Sequence, residues 1–185
     1  VYLVVAFHAG VARASGGFIG VDVFFVLSGY LVTQVLLRDV AATGKVRFGR
    51  FYARRVRRLL PASILALVVT AIVYGGTASP AQAAEATDAF RAALLYVANW
   101  HFIDQATGYF ATESAQSPVL HMWSLSVEEQ FYLVWPLLFG ALVWASAALG
   151  RHRRWALRGA VAAGALASAG WALALRADQP DRAYF

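Results

Sequence analysis

Four side chains of types that move protons stand in segments otherwise oily enough to enter a bilayer: His8, Asp22, His121 and Glu128. The most informative run is "HMWSLSVEEQFYLVWPLL", residues 121–138. Wound as a helix from His121, it places Ser124, Glu128, Tyr132 and Trp135 within about 60° of that histidine, and Glu129 about 80° away on the flank. The spacing predicts Glu128 as the inward carboxylate, roughly 10 Å deeper than His121. A charge at the bilayer centre costs about 2.5 to 3.5 kcal/mol on insertion scales, so this stripe must face a bundle interior or a wet cavity. A histidine in such a place has the pKa of a general base. A carboxylate beside it can fix the imidazole tautomer and stabilise the imidazolium, a role open to Asp22 or Glu128.

The elements that must hold these residues are membrane helices. Of the 185 residues, 60% are hydrophobic and 14% charged, and the mean hydropathy is +0.57, far from a soluble domain. Residues 17–37, 61–78, 120–150 and 159–176 are each near or above the roughly 20 apolar residues that cross a hydrocarbon core. Residues 1–12 are too few for that and read as the second half of a helix, so the chain is expected to be a fragment cut at both ends. The absence of cysteine excludes disulfides, thiolate catalysis and cysteine metal sites in this piece. The net charge of +6 is clustered as membrane topology dictates, so no nucleic-acid partner is expected.

Those clusters orient the chain. Residues 38–60 hold Arg38, Lys45, Arg47, Arg50, Arg54, Arg55, Arg57 and Arg58 against Asp39, and 151–158 reads "RHRRWALR"; both loops are expected in the cytoplasm. Residues 79–119 hold Glu85, Asp88, Asp104 and Glu113 against Arg91, and 177–185 hold Asp178 and Asp181, so both are expected outside. Two cytoplasmic loops require an even number of crossings between them, which leaves 89–103 as an amphipathic or re-entrant piece. The expected fold is an all-α, polytopic membrane bundle of about five to six segments, that partial one included. His8, Asp22 and His121 would then lie at one level near the outer face.

Asp22 stands in "GGFIGVDVFFVLSGYL", residues 16–31. It reads equally as a residue of the helix N-terminus favoured by the dipole and as a partner of the base. Ser28 lies about 240° round the helix from Asp22 and reads with Gly29 as a packing or substrate-contact pair more than as a nucleophile. His121 and Glu128 read as site residues or as a buried polar pair that orders the bundle. A proton-coupled transporter or permease could use the same His, Asp and Glu cluster, and that alternative stands beside an enzyme. No HExxH-type spacing, phosphate-binding glycine loop or nucleic-acid module is present, and no metal is expected.

Three motifs, "GGFIGVDVFFVLSGYL", "FYARRVRRLLPA" and "HMWSLSVEEQFYLVWPLL", in this order and at these separations, resemble the acyltransferase 3 family of integral-membrane O-acyltransferases. The resemblance makes residues 1–185 the N-terminal part of such a domain, with its first helix incomplete and its later helices absent. It implies transfer of an acyl group, often acetyl, from acyl-CoA (acetyl-CoA foremost) to a hydroxyl of a cell-surface glycan, peptidoglycan or secondary metabolite. His8 matches the family's essential histidine. The arginine that the family carries eleven residues earlier would precede Val1. Arg54, Arg55, Arg57 and Arg58, on a short juxtamembrane helix expected to end at Pro61, could hold coenzyme A phosphates. Topology setting and contact with anionic lipid is the other reading of the same charges. His8, Asp22 and Glu128 are thus the expected catalytic set, and His121, Ser124, Ser28 and Tyr132 line the site. Membrane lipids, acyl-CoA and a glycan or small-molecule acceptor are the expected partners, with a downstream soluble domain also compatible. The expected location is a bacterial cytoplasmic (plasma) membrane.

Overall fold

The computed structural model describes residues 9, 19–106, 117–147, 150 and 153–178, and the elements among them are all helices. The chain divides after Val46 into two units.

The first unit contains α1, Ile19–Thr43. It is apolar nearly all round, with Asp22 in its first turn, where unpaired N–H groups and the helix dipole favour a carboxylate. Ser28, Val32 and Leu36 form its buried stripe at intervals of four. It ends at Gly44, whose φ of +74° and N–H bond to the Val40 carbonyl at 2.8 Å make an ordinary glycine helix stop.

The second unit begins with α2, Phe48–Thr77. Together α1 and α2 reduce the expected loop 38–60 to residues 44–47, a correction with a simple cause. Charged residues end the oily part of a helix, not the helix. Nor does α2 stop at Pro61, as expected, for it runs through the proline to Thr77. A proline inside a helix removes one N–H donor and crowds the preceding turn. Here Ser63 Oγ lies 3.1 Å from both the Leu59 and Leu60 carbonyls and 2.6 Å from Tyr96 Oη, adding polar partners to that turn.

The segment expected to be partial is broken. α3, Pro80–Leu94, starts with a capping box in which Ser79 Oγ accepts the Gln82 N–H and Gln82 Oε1 accepts the Ser79 N–H. After a turn at residues 95–97 comes α4, Ala98–Ala106. At 1.5 Å per residue α3 is about 22 Å long and α4 about 14 Å, each short of a hydrocarbon core of about 30 Å. α5, Met122–Ala145, and α6, Arg153–Asp178, complete the described elements.

Leu67 of α2, Ala89 and Ala93 of α3, Ala98 and Phe102 of α4, and Val119 with Met122 form one buried cluster. Alanines at this contact let the backbones approach, as small residues do between membrane helices. α2 and α5 run antiparallel, with Phe48 against Gly140 and Tyr52 against Leu133. A Cβ built on Gly140 would lie 2.6 Å from Phe48 Cζ, so glycine permits the approach.

The outward faces are apolar: Val26 is 72% exposed, Ile72 70% and Trp171 69%. Such surface suits hydrocarbon and is unsuited to water, as in a membrane protein. Among the described residues α1 and α2 are long and apolar enough to cross a bilayer, with mean hydropathies of 1.8 and 2.1 over their most apolar stretches.

Candidate functional site

The basic motif of α2 and the acidic motif of α5 meet. Within "FYARRVRR", Arg54, Arg57 and Arg58 are exposed, whereas Arg55 is half-buried and Phe51, one turn earlier, is buried. Their spacing of four puts both on the face turned to α5. Opposite them Glu128 and Tyr132, also four apart, are both buried, and the Tyr132 hydroxyl donates to Glu128 Oε1. Over the Tyr132 ring lies the Arg55 guanidinium, its carbon 3.1 Å from the ring centroid and 5.9 Å from that of Phe51. Planar guanidinium over an aromatic face is a favourable cation–π arrangement, more so when desolvated. Tyr52 Oη donates to the Leu133 carbonyl at 2.7 Å. That carbonyl stands beside the turn from which Pro136 withholds an N–H.

Glu129 completes the group. It faces a cavity of about 360 Å³ whose wall also includes Tyr52, Arg55, Tyr96, Gln130 and Leu133. Among the described residues, Arg55 Nε and Nη2 and Glu129 Oε1 are buried without a hydrogen-bond partner. Opposite charges on one low-dielectric wall with spare donors and acceptors suit a small polar group flanked by an apolar one. A larger cavity of about 440 Å³ between α2 and α3 is lined by residues such as Ile64, Val68, Ala86 and Phe90. Its one charged residue, Arg91, is paired with Asp88 at 3.0 Å, whereas Arg55 and Glu129 share the wall of the smaller cavity.

Polar bonds tie α5 to α4 and to the turn before it. The Gln130 carboxamide donates to the Tyr96 carbonyl and to Asn99 Oδ1, each at 2.8 Å, and accepts from Trp100 Nε1 at 3.3 Å. Ser126 is fully buried; its hydroxyl donates to the Met122 carbonyl at 2.9 Å and accepts the N–H of Ala98, first residue of α4, at 3.2 Å. An otherwise orphaned helix N–H is thereby satisfied.

The residues picked from sequence are distributed unevenly. His8 lies outside the described residues. Asp22 is exposed in the first turn of α1 and Ser28 is buried on it. His121 is exposed at the cap of α5, and the half-buried Ser124 donates to its carbonyl at 3.1 Å. The α-helix begins only at Met122, after a turn over 118–121, so the helical phase reckoned from His121 does not carry that histidine inward. Glu128, Tyr132 and Arg55 come together. Glu129, Gln130, Tyr96 and Ser126 are additions that sequence reasoning missed. Two adjacent carboxylates in an oily helix were the available signal, since both cannot point outward to lipid.

The acyltransferase domain family matches residues 2–185. The peptidoglycan O-acetyltransferase OatA of Listeria monocytogenes is 41% identical over 136 residues, 74% of this chain and 22% of that protein. A putative peptidoglycan O-acetyltransferase, YrhL of Bacillus subtilis, is 40% identical over 137 residues, covering 72% and 21%. The O-acetyltransferase OatA of Staphylococcus aureus is 39% identical over 140 residues, covering 76% and 23%. The chain thus spans less than a quarter of the length of these relatives. No solved structure matches it.

Proposed function

This chain belongs to the acyltransferase domain family, and from that premise we propose that it is part of a membrane-embedded O-acyltransferase. The enzyme transfers an acetyl group from acetyl-CoA to a hydroxyl of a cell-wall glycan, with peptidoglycan the leading acceptor because the relatives' names specify it. The observation that carries this reading is the convergence of Arg55, Tyr132, Glu128 and Glu129 on one wall, built by two of the motifs that resemble the family.

Transfer begins with attack of the acceptor oxygen on the thioester carbonyl. A carbon–oxygen bond forms, the carbon–sulfur bond breaks, and the hydroxyl proton ends on the departing thiol. His8 acts as the base, worth about 10² to 10⁴ in rate. Asp22 supports it. Arg54, Arg57 and Arg58, exposed on α2, meet the donor's phosphates as bidentate forks. Arg55, turned inward, addresses the part of the donor that enters the bundle.

In the proposed topology α1, α2, α5 and α6 cross a bacterial plasma membrane, with α3 and α4 re-entrant on the outer side. Residues 44–47 and the basic stretch 151–158 face the cytoplasm, as the positive-inside rule requires. The test uses the purified full-length protein, labelled acetyl-CoA and a soluble glycan acceptor. Label is expected to appear as an O-ester on the glycan, and His8→Ala is expected to abolish this while thermal unfolding stays unchanged. Equal turnover in wild type and His8→Ala would discard the assignment of the base.

A further inference from the structure

Tyr96 occupies a position where glycine is conformationally easier. At the end of α3 the Val97 N–H donates to the Ala92 carbonyl at 2.9 Å and the Tyr96 N–H to that of Ala93 at 3.2 Å. These are the paired bonds of a Schellman cap, whose residue after the cap is left-handed and usually glycine. Tyr96 is that residue, with φ of +55°, the one positive φ outside glycine among the described residues. The left-handed region penalises any Cβ, and such backbone persists where its surroundings over-determine it.

The surroundings do so from two other helices. Gln130 of α5 donates to the Tyr96 carbonyl at 2.8 Å, and Ser63 of α2 holds its hydroxyl at 2.6 Å. Gln130 is itself bonded at both ends of its carboxamide, to Asn99 and Trp100. The clamped tyrosine belongs to the wall that carries Arg55 and Glu129. The same wall includes the apolar Val56, Leu95, Val97 and Leu133, which suit a short hydrocarbon chain.

We propose that Tyr96 determines acyl specificity: its ring, fixed by Ser63 and Gln130, limits the length of the acyl group that the cavity beside Arg55 and Glu129 admits. The inference rests on the acyl-transfer reading above. The experiment compares acetyl-, butyryl- and hexanoyl-CoA as donors for the full-length protein and its Tyr96→Gly, Tyr96→Asn and Tyr96→Phe variants. Glycine and asparagine both tolerate the left-handed backbone, so either small variant serves should the other fail to fold. In the small variants the butyryl-to-acetyl ratio of kcat/KM is expected to rise about tenfold or more, the scale on which apolar pockets discriminate methylenes. Tyr96→Phe keeps the ring but loses the bond to Ser63, and its ratio is expected to lie between those of the wild type and the small variants. Wild-type transfer with a ratio unmoved in both small variants overturns this inference alone. No transfer from any donor by the wild-type protein overturns the functional reading and this inference with it.

Discussion

Arg55 of α2 and Tyr132 of α5 are in face contact, with the guanidinium carbon 3.1 Å from the ring centroid. The same tyrosine donates its hydroxyl to Glu128. One aromatic side chain therefore joins the basic motif of one helix to the acidic motif of another.

Lysine at position 55 keeps the charge but loses the planar fork and the stacking surface. Arg55→Lys is expected to lower kcat/KM for acetyl transfer at least about tenfold, about 1.4 kcal/mol of transition-state stabilisation. Arg50→Lys, at an exposed position of α2 outside the proposed site, is expected to keep kcat/KM within about twofold of wild type. Steady-state kinetics on both variants in parallel decides the matter, and equal values would dissociate the stacked arginine from catalysis.

The Tyr132–Glu128 bond is buried and charge-assisted. A double-mutant cycle with Tyr132→Phe and Glu128→Gln, read by thermal unfolding in detergent, is expected to give a coupling of about 1.5 to 3 kcal/mol. Strict additivity of the two variants would show that the bond contributes nothing.

Two serines cap helices in different surroundings. Ser126→Ala leaves the Ala98 N–H buried and unpaired, for an expected loss of about 1 to 3 kcal/mol. Ser79→Ala removes an exposed cap from α3, for about 1 kcal/mol, and water can replace it. The larger drop in unfolding temperature should belong to Ser126→Ala; the reverse order would contradict the burial assigned to it.

Gly140 allows α2 and α5 to close at the start of α2. Gly140→Leu should overpack against Phe48 by about 1 to 3 kcal/mol, and Phe48→Ala in the same chain should restore part of that loss. Unfolding temperatures of the single and double variants provide the check, and a Gly140→Leu protein as stable as wild type would refute the close approach.

Much of this architecture was legible. Apolar length marked α1, α2, α5 and α6, and residues 89–103, expected to be a partial segment, are divided between α3 and α4. The 3.6-residue period identified Glu128 as inward, and it is buried. The ends of helices were less legible, because hydropathy reports where oil stops and backbone hydrogen bonding continues past that point through Arg38 and Arg50. The turn at Tyr96 had no glycine to announce it. Glu129 fell on the flank of the helical wheel, and a flank becomes a cavity wall only when a neighbouring helix stands beside it.

By itself, the order of residues determined that the chain is helical, that it carries helices apolar enough for a membrane, and that three motifs resemble one acyltransferase family. Tertiary structure alone decided which of four neighbouring arginines turns inward to Tyr132 and Glu129. The reason is physical: a side chain's direction around its own helix follows from local geometry, but what it meets there depends on the register between α2 and α5. That register is set by contacts such as Tyr52 with Leu133, which are 81 residues apart in the chain and leave no periodic trace in it.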